Sequence, residues 1–419
     1  MSAQEPAQLS PQAQASDPRN SAWVSANAGS GKTTVLVRRV IRLLLDGVPP
    51  GRILCLTYTK AAAAHMANEV LKKLSAWVRL EDDALDQAIS EIESGKPSPA
   101  RRARARRLFS AALETPGGLK VQTIHAFCDR VLHMFPVEAD APAGFEVLDE
   151  LGERDLVESA RLQVLLDAGR APDSPLGQAL GHCIEIAGDD TIEQVIGEAV
   201  RARQNLRDFE IYRARAAMLA CLKLQPNDTF ESVAAEILDH DTLPRSEWAS
   251  AAQTLKALGG NAARRGEAIA EAAGMPGSAA VDAYLCVFFT DEGEPRKDSG
   301  FGAEKSLATI PGLRDQLFSE RDRLASLRNK LRAIRECERS CALLTLASAV
   351  VARYESAKRR RGVLDFADLV TKTVELLERE ESAWVHFKLD GGTNHILVDE
   401  AQDTSPEQWR IIGKLADCS

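Results

Sequence analysis

Two short stretches carry residues whose types and spacing suit phosphate chemistry. Ala26-Asn27-Ala28-Gly29-Ser30-Gly31-Lys32-Thr33-Thr34 follows an apolar run and opens a helical one. Glycines let backbone N–H groups approach phosphate oxygens, and a helix N-terminus adds positive potential. Lys32 is placed to reach the β- and γ-phosphates, and the Thr33 hydroxyl to ligate Mg²⁺. The strict P-loop pattern has Gly at position 26, where this chain has Ala. The second stretch is Asp399-Glu400, directly after His395-Ile396-Leu397-Val398. A carboxylate at a strand end can hold the Mg²⁺ shell, which assigns Asp399. Its neighbour Glu400 can orient or deprotonate the attacking water. Alone, an Asp-Glu pair reads as a charged strand end; the apolar strand before it and the P-loop upstream give it meaning.

These residues need a scaffold. Ala22-Trp23-Val24-Ser25-Ala26 reads as a buried strand leading into the loop, with a helix from about Lys32 to Leu45 stopped by Asp46-Gly47-Val48-Pro49-Pro50-Gly51. Ile53–Tyr58 reads as a second strand, 60–78 as a helix, and Leu119–Ile124 as a third strand. Alternation of this kind implies a parallel sheet covered on both faces. From 146 to 365 the pattern turns helical, with Leu156, Ala160, Val164 and Ala168 every four residues and Leu324, Leu327, Leu331 and Ile334 in a three-four rhythm. Lys32 and Asp399 are 367 residues apart, so that helical stretch is expected to loop out of the sheet between them.

Bulk properties set limits. At 419 residues, 45% hydrophobic and 27% charged, the chain suits two or three soluble domains. No apolar run of membrane-spanning length and no secretory leader are present, so cytoplasmic residence without a membrane partner is expected. Eight scattered cysteines, without C-x-x-C pairs, read as buried reduced thiols. The net charge of −9 does not exclude a polynucleotide, because a groove can be basic inside an acidic protein. Arg101–Arg107 and Lys358–Arg361 are two basic runs of that kind, each equally readable as a solvated helix face.

The ordered set of motifs resembles the superfamily 1 DNA helicases of the UvrD/Rep/RecB/AddA group. The P-loop and Asp399-Glu400-Ala401-Gln402-Asp403-Thr404 look like motifs I and II of that family. Gln12-Ala13-Gln14-Ala15 is similar to its Q-x-x-A element, whose glutamine reads adenine. Thr57–Ala62 resembles motif Ia, Thr123–Cys128 the G-T-[FI]-H-S-F-C element, and Leu364–Leu369 the L-D-F-x-D-L helix. The wording around Trp23–Gly29 and Asp399–Pro406, with the large insertion, is most similar to AddA.

The resemblance implies a RecA-like α/β domain 1A with a mainly helical inserted domain 1B. The divisions are an N-terminal segment 1–20, 1A over 21–145, 1B over 146–365 and a return to 1A over 366–419. It implies ATP and Mg²⁺ as cofactors, with Gln12 and residues 26–34 binding nucleotide and Lys32, Asp399, Glu400 and Gln402 catalytic. It implies DNA contacts from Tyr58, Thr59, Lys60, Thr123 and His125, by stacking and backbone contact. Partners would be DNA ends and an AddB-like subunit, in double-strand-break repair and recombination. Motif Ia departs from the family at Lys60 and Ala61, which stand for the usual Asn and Lys, and His65 stands for Glu. Phe127 reads as core packing.

Sixteen residues follow Asp403, and the family's motif III, second motor domain and nuclease have no match among them. An arginine finger is worth about 10³–10⁵ in rate. The polypeptide alone is therefore expected to bind ATP–Mg²⁺ weakly, turn it over slowly or not at all, and unwind nothing. Two other readings stand beside this one: a non-enzymatic nucleotide- and DNA-binding module, and an unrelated P-loop enzyme.

Overall fold

The computed structural model describes residues 10–25, 27, 31–93, 95–186, 189–206, 210–379, 383–390 and 392–417. The fold is mostly helical with a small parallel sheet, and it divides into two compact units, 1–153 with 358–419, and 154–357.

In chain order the first unit begins with α1 (Pro11–Ala15) and α2 (Lys32–Asp46), then β1 (Ile53–Thr57), α3 (Lys60–Arg79), α4 (Asp82–Glu93), α5 (Pro99–Glu114), β2 (Lys120–Thr123) and α6 (Ile124–Met134). After β3 (Glu146–Val147), α7 (Glu150–Arg170) leads into the second unit, which also contains α8 (Pro175–Ile186), α9 (Asp189–Arg201), α10 (Ile211–Cys221), α11 (Phe230–Leu238), α12 (Trp248–Ala257), α13 (Gly260–Gly274), α14 (Gly277–Phe288) and α15 (Glu304–Leu307). The long α16 (Leu313–Arg361) carries the chain back to β4 (Val363–Leu364), α17 (Phe366–Glu378), α18 (Ala383–Asp390), β5 (His395–Val398) and α19 (Pro406–Asp417). β3 and β4 pair in parallel, so the outgoing and returning segments meet side by side in the first unit.

The sheet order is β2-β1-β5, all parallel, with Thr57 opposite Thr123 and Leu56 opposite Val398. All five residues of β1 are buried, as a central parallel strand requires. Strand alternation splits them between two cores. Leu54 and Leu56 pack with α6, α17 and α19, whereas Ile53 and Cys55 pack with α2, α3, α4 and α5. The C-terminal end of every strand therefore emerges at one edge, between two helical layers. That edge is where the motif residues lie.

The predicted strand at 22–26 is not found: residues 21–25 form no strand, Trp23 is 77% exposed, and its ring meets Trp409 at 6.1 Å. Ala26 lies outside the described residues. Trp23 and Val24 supply one apolar residue per face, enough to resemble a buried strand. A strand also needs a neighbour for its backbone groups, and none of the described pairings of β1, β2 and β5 involves residues 21–25.

The basic run on α5 is used inside the protein. Arg101 and Arg104 each donate to the Leu45 carbonyl at 2.9 Å, capping the C-terminus of α2, and Arg101 also pairs with Asp46 and Glu93. Arg102 and Arg106 hold Asp82 at 2.8 and 2.7 Å. Cations at a helix C-terminus satisfy its open carbonyls and its dipole. Cys55, Cys128, Cys183 and Cys337 are buried thiols as expected, but Cys221 and Cys286 are exposed. Burial pushes Cys55 and Cys128 up to about 12.

In the second unit, Leu324, Leu327, Leu331 and Ile334 of α16 bury their stripe against Trp248, Tyr284, Phe288 and Phe301. Trp248 stacks on Tyr284 at 4.0 Å, and the Tyr284 hydroxyl donates to the fully buried Glu320 at 2.9 Å. Leu156, Ala160, Val164 and Ala168 are the buried face of α7.

Candidate functional site

Gly31 initiates α2 with φ +86° and no side-chain cap, and among the described residues the first N–H groups of the helix meet no acceptor, which suits them to a ligand. Lys32 is the first helical residue, Thr33 is half-buried and Thr34 exposed. Lys32 Nζ lies 4.0 Å from Glu400 Oε2. Two motifs at opposite ends of the sequence are thus brought together at the end of β5. Ala26, Ala28, Gly29 and Ser30 lie outside the described residues, and Asn27 is exposed.

Asp399 follows β5, and its N–H donates to the Leu56 carbonyl at 2.9 Å, continuing the ladder one residue. Its side chain is buried, and burial raises its carboxyl above the ordinary range; the Glu400 N–H bonded to Oδ1 at 3.0 Å opposes this, the Glu400 charge adds to it and Lys32 offsets part. Glu400 itself adopts φ +51°, ψ +45°. A non-glycine residue in the left-handed region stores about 1–2 kcal/mol, and such strain clusters at functional sites. The reversal starts the 3₁₀ turn Ala401–Asp403 and brings the Gln402 amide onto Glu400 Oε2 as a donor. Lys32, Asp399, Glu400 and Gln402 therefore form one cluster. No residue pattern marked the left-handed Glu400.

Gln12 is exposed on α1, and its segment is fastened to α2. Arg42 donates to the Ala13 carbonyl at 3.1 Å, and Arg39 donates to those of Ala15 and Asp17 at 3.0 and 2.8 Å. The Asp17 carboxyl, bonded by Arg19 and facing Arg42, is held well below the usual carboxylate range.

The residues expected to contact DNA emerge from the neighbouring strands β1 and β2. Tyr58 is 51% exposed and Lys60 exposed. Thr59 caps α3, accepting the Ala62 N–H at 3.1 Å, and Thr123 caps α6, accepting the Ala126 N–H at 3.2 Å. Because Thr57 and Thr123 are in register, the two helix N-termini start side by side. His125 is half-buried, and burial lowers its imidazole from the ordinary value. Its ring lies 5.3 Å from Phe366, edge-on at 72°. Phe366, 40% exposed at the start of α17, stands in the L-D-F-x-D-L element read from the sequence but was given no role in the site there. Its signal was an aromatic residue directly after a helix-capping aspartate. Phe127 is buried in the core.

The second basic run is also not an open face throughout. Lys358 is buried, its ammonium 2.9 Å from Asp365 and 2.6 Å from Asp368.

The chain is 26% identical to the AddA component of the ATP-dependent helicase/nuclease of Desulfitobacterium hafniense, over 93% of this chain and 29% of that protein. It is 25% identical to the protein of the same name from Lactiplantibacillus plantarum, over 95% of this chain and 33% of that one. Over 127 residues it is 38% identical to the Enterococcus faecalis counterpart. The chain spans about a third of the length of the curated relatives it matches end to end. Residues 7–419 match the UvrD/REP helicase N-terminal domain, and the chain belongs to that family.

Proposed function

We propose that this chain is the ATP-binding, single-stranded-DNA-tracking first motor domain of an AddA-like ATP-dependent helicase acting in double-strand-break repair and recombination. The first unit is the RecA-like domain 1A and the second the inserted domain 1B. Lys32 grips the terminal phosphates at the start of α2, with Gln12 on the adenine side. Glu400, oriented by Gln402 and Lys32, positions and deprotonates the attacking water. The oxygen donors suit a hard cation: a threonine hydroxyl at position 33 and a carboxylate at 399 whose surroundings disfavour an unpartnered charge. Thr33 and Asp399 are the residues that would hold Mg²⁺, which supplies charge neutralisation of the phosphates. Tyr58, Thr59, Lys60, Thr123 and His125 meet the strand beside the nucleotide cluster. In the cell the chain works in the cytoplasm with an AddB-like partner on DNA ends.

The observation that carries this reading is the 4.0 Å approach of Lys32 to Glu400. The test is a pair of substitutions. Lys32→Ala should abolish binding of a fluorescent ATP analogue, whereas Glu400→Gln should bind it and stop whatever turnover the parent shows. Turnover retained in either variant overturns the assigned roles. ATPase stimulated by single-stranded DNA separates a motor domain from a binding module without turnover.

A further inference from the structure

Lys358 is 2% exposed, yet it is a lysine, a residue almost never fully buried without a partner. Its ammonium is 2.9 Å from Asp365 Oδ2 and 2.6 Å from Asp368 Oδ2. Both carboxylates also work on the backbone of α17. Asp365 Oδ1 accepts the Asp368 N–H at 2.9 Å, and Asp368 Oδ2 accepts the Asp365 N–H at 3.2 Å, a reciprocal cap. The residue between the cap and the helix body is Phe366, whose exposed ring lies edge-on against His125.

We propose that Lys358 is a positioning residue for the polynucleotide face, fixing the start of α17 so that Phe366 sets the orientation of His125. This rests on the reading of His125 as a DNA contact. One asparagine or aspartate suffices to cap a helix. Here two carboxylates share the first turn and would repel one another in a buried setting without a cation between them. Buried ion clusters are weak sources of stability but can specify a single geometry. The geometry specified is that of the first residue of α17. Remove the ammonium and the repulsion between the two carboxylates across the cap is no longer offset by it. That repulsion loosens the turn that holds Phe366 and frees the imidazole to rotate.

The experiment uses the 419-residue chain and compares Lys358→Met, Phe366→Ala, His125→Ala and the charge-neutral Lys358→Met/Asp365→Asn/Asp368→Asn. Three readouts are taken: affinity for an oligo(dT) strand at fixed salt, the imidazole proton resonances of His125, and affinity for a fluorescent ATP analogue. Lys358→Met should shift the His125 resonances and weaken oligo(dT) binding about tenfold, the order expected for one lost contact. Nucleotide affinity should stay at the parent value. The neutral triple variant keeps asparagine caps and should recover both the resonances and the affinity. A Lys358→Met protein that melts earlier but keeps the His125 resonances and the oligo(dT) affinity has lost a structural residue only, and the proposal falls. Should Lys358→Met not fold, Phe366→Ala decides: unchanged resonances and affinity overturn the proposal. His125→Ala with parent affinity for oligo(dT) would remove the premise instead, and so marks failure of the DNA reading itself.

Discussion

The two glycines that bracket α2 allow stability and function to be separated on one helix. Gly31 has φ +86° and Gly47 φ +94°, both left-handed, so alanine at either costs about 1–2 kcal/mol of conformational energy. Among the described residues a Cβ at Gly31 meets no atom within 4 Å, so no steric contact there adds to that cost. A Cβ at Gly47 would sit 2.9 Å from Arg104 Nη1, which must move and lose its bond to the Leu45 carbonyl. Arg101 still donates to that carbonyl, so the extra loss is about 1 kcal/mol rather than that of an orphaned acceptor. Gly47→Ala is therefore expected to cost about 2–3 kcal/mol in all. At about 2–4 °C per kcal/mol for a unit of this size, it should melt several degrees below Gly31→Ala. Nucleotide binding should rank the other way. The helix of 15 residues puts about 22 Å between its ends. Gly31→Ala disturbs the open N–H groups and should lose at least about tenfold in ATP affinity, while Gly47→Ala stays near the parent. Thermal denaturation with and without ATP–Mg²⁺ reads both effects. The reasoning is refuted if Gly31→Ala melts lower than Gly47→Ala, or if Gly47→Ala alone loses the nucleotide-induced rise in Tm.

Two titratable groups give further expectations. The Asp399 carboxyl is raised above its ordinary 3.8, so its favourable contribution is complete below that pH and is lost as pH rises through the higher folded value. Asp399→Asn should accordingly be more stable than the parent at neutral pH, converge with it in acid, and lose Mg²⁺-dependent ATP binding; equal stability at pH 7 would contradict the burial cause. His125 lies below its ordinary 6.5 through burial, so its contribution is present above 6.5 and is lost as pH falls through the lower folded value. Replacing it by Gln should flatten that acid limb in urea titrations, and an unaltered slope would show that the ring is not the cause.

Much of the site was legible in the residues because it is written in local chemistry. Gly31 before Lys32 marks a helix start, Ile53–Thr57 and His395–Val398 are short mainly apolar runs beside turn residues, and Leu119 and Val121 alternate with Lys120 and Gln122 after Gly117-Gly118. What was not legible depends on partners distant in sequence. The apolar residues Trp23 and Val24 resemble a strand, but whether they come to lie along a sheet edge is a property of the whole fold. Arg101, Arg102, Arg104 and Arg106 look like a basic face until Asp46, Asp82, Asp86 and Glu93 fold against them. The left-handed turn at Glu400 leaves no sign in composition, since glutamate carries no preference for it. Lys358 is hidden for the same reason: in a run of arginines nothing distinguishes the one cation that is buried.

The most direct measurement is a structure of the chain with ATP and Mg²⁺. The β- and γ-phosphates are expected at the N-terminus of α2, between Lys32 and the Asp399-Glu400 pair, with the metal against Thr33 and Asp399. Triphosphate density anywhere else, with Lys32 and Glu400 both unengaged, would contradict the nucleotide site and the motor function built on it.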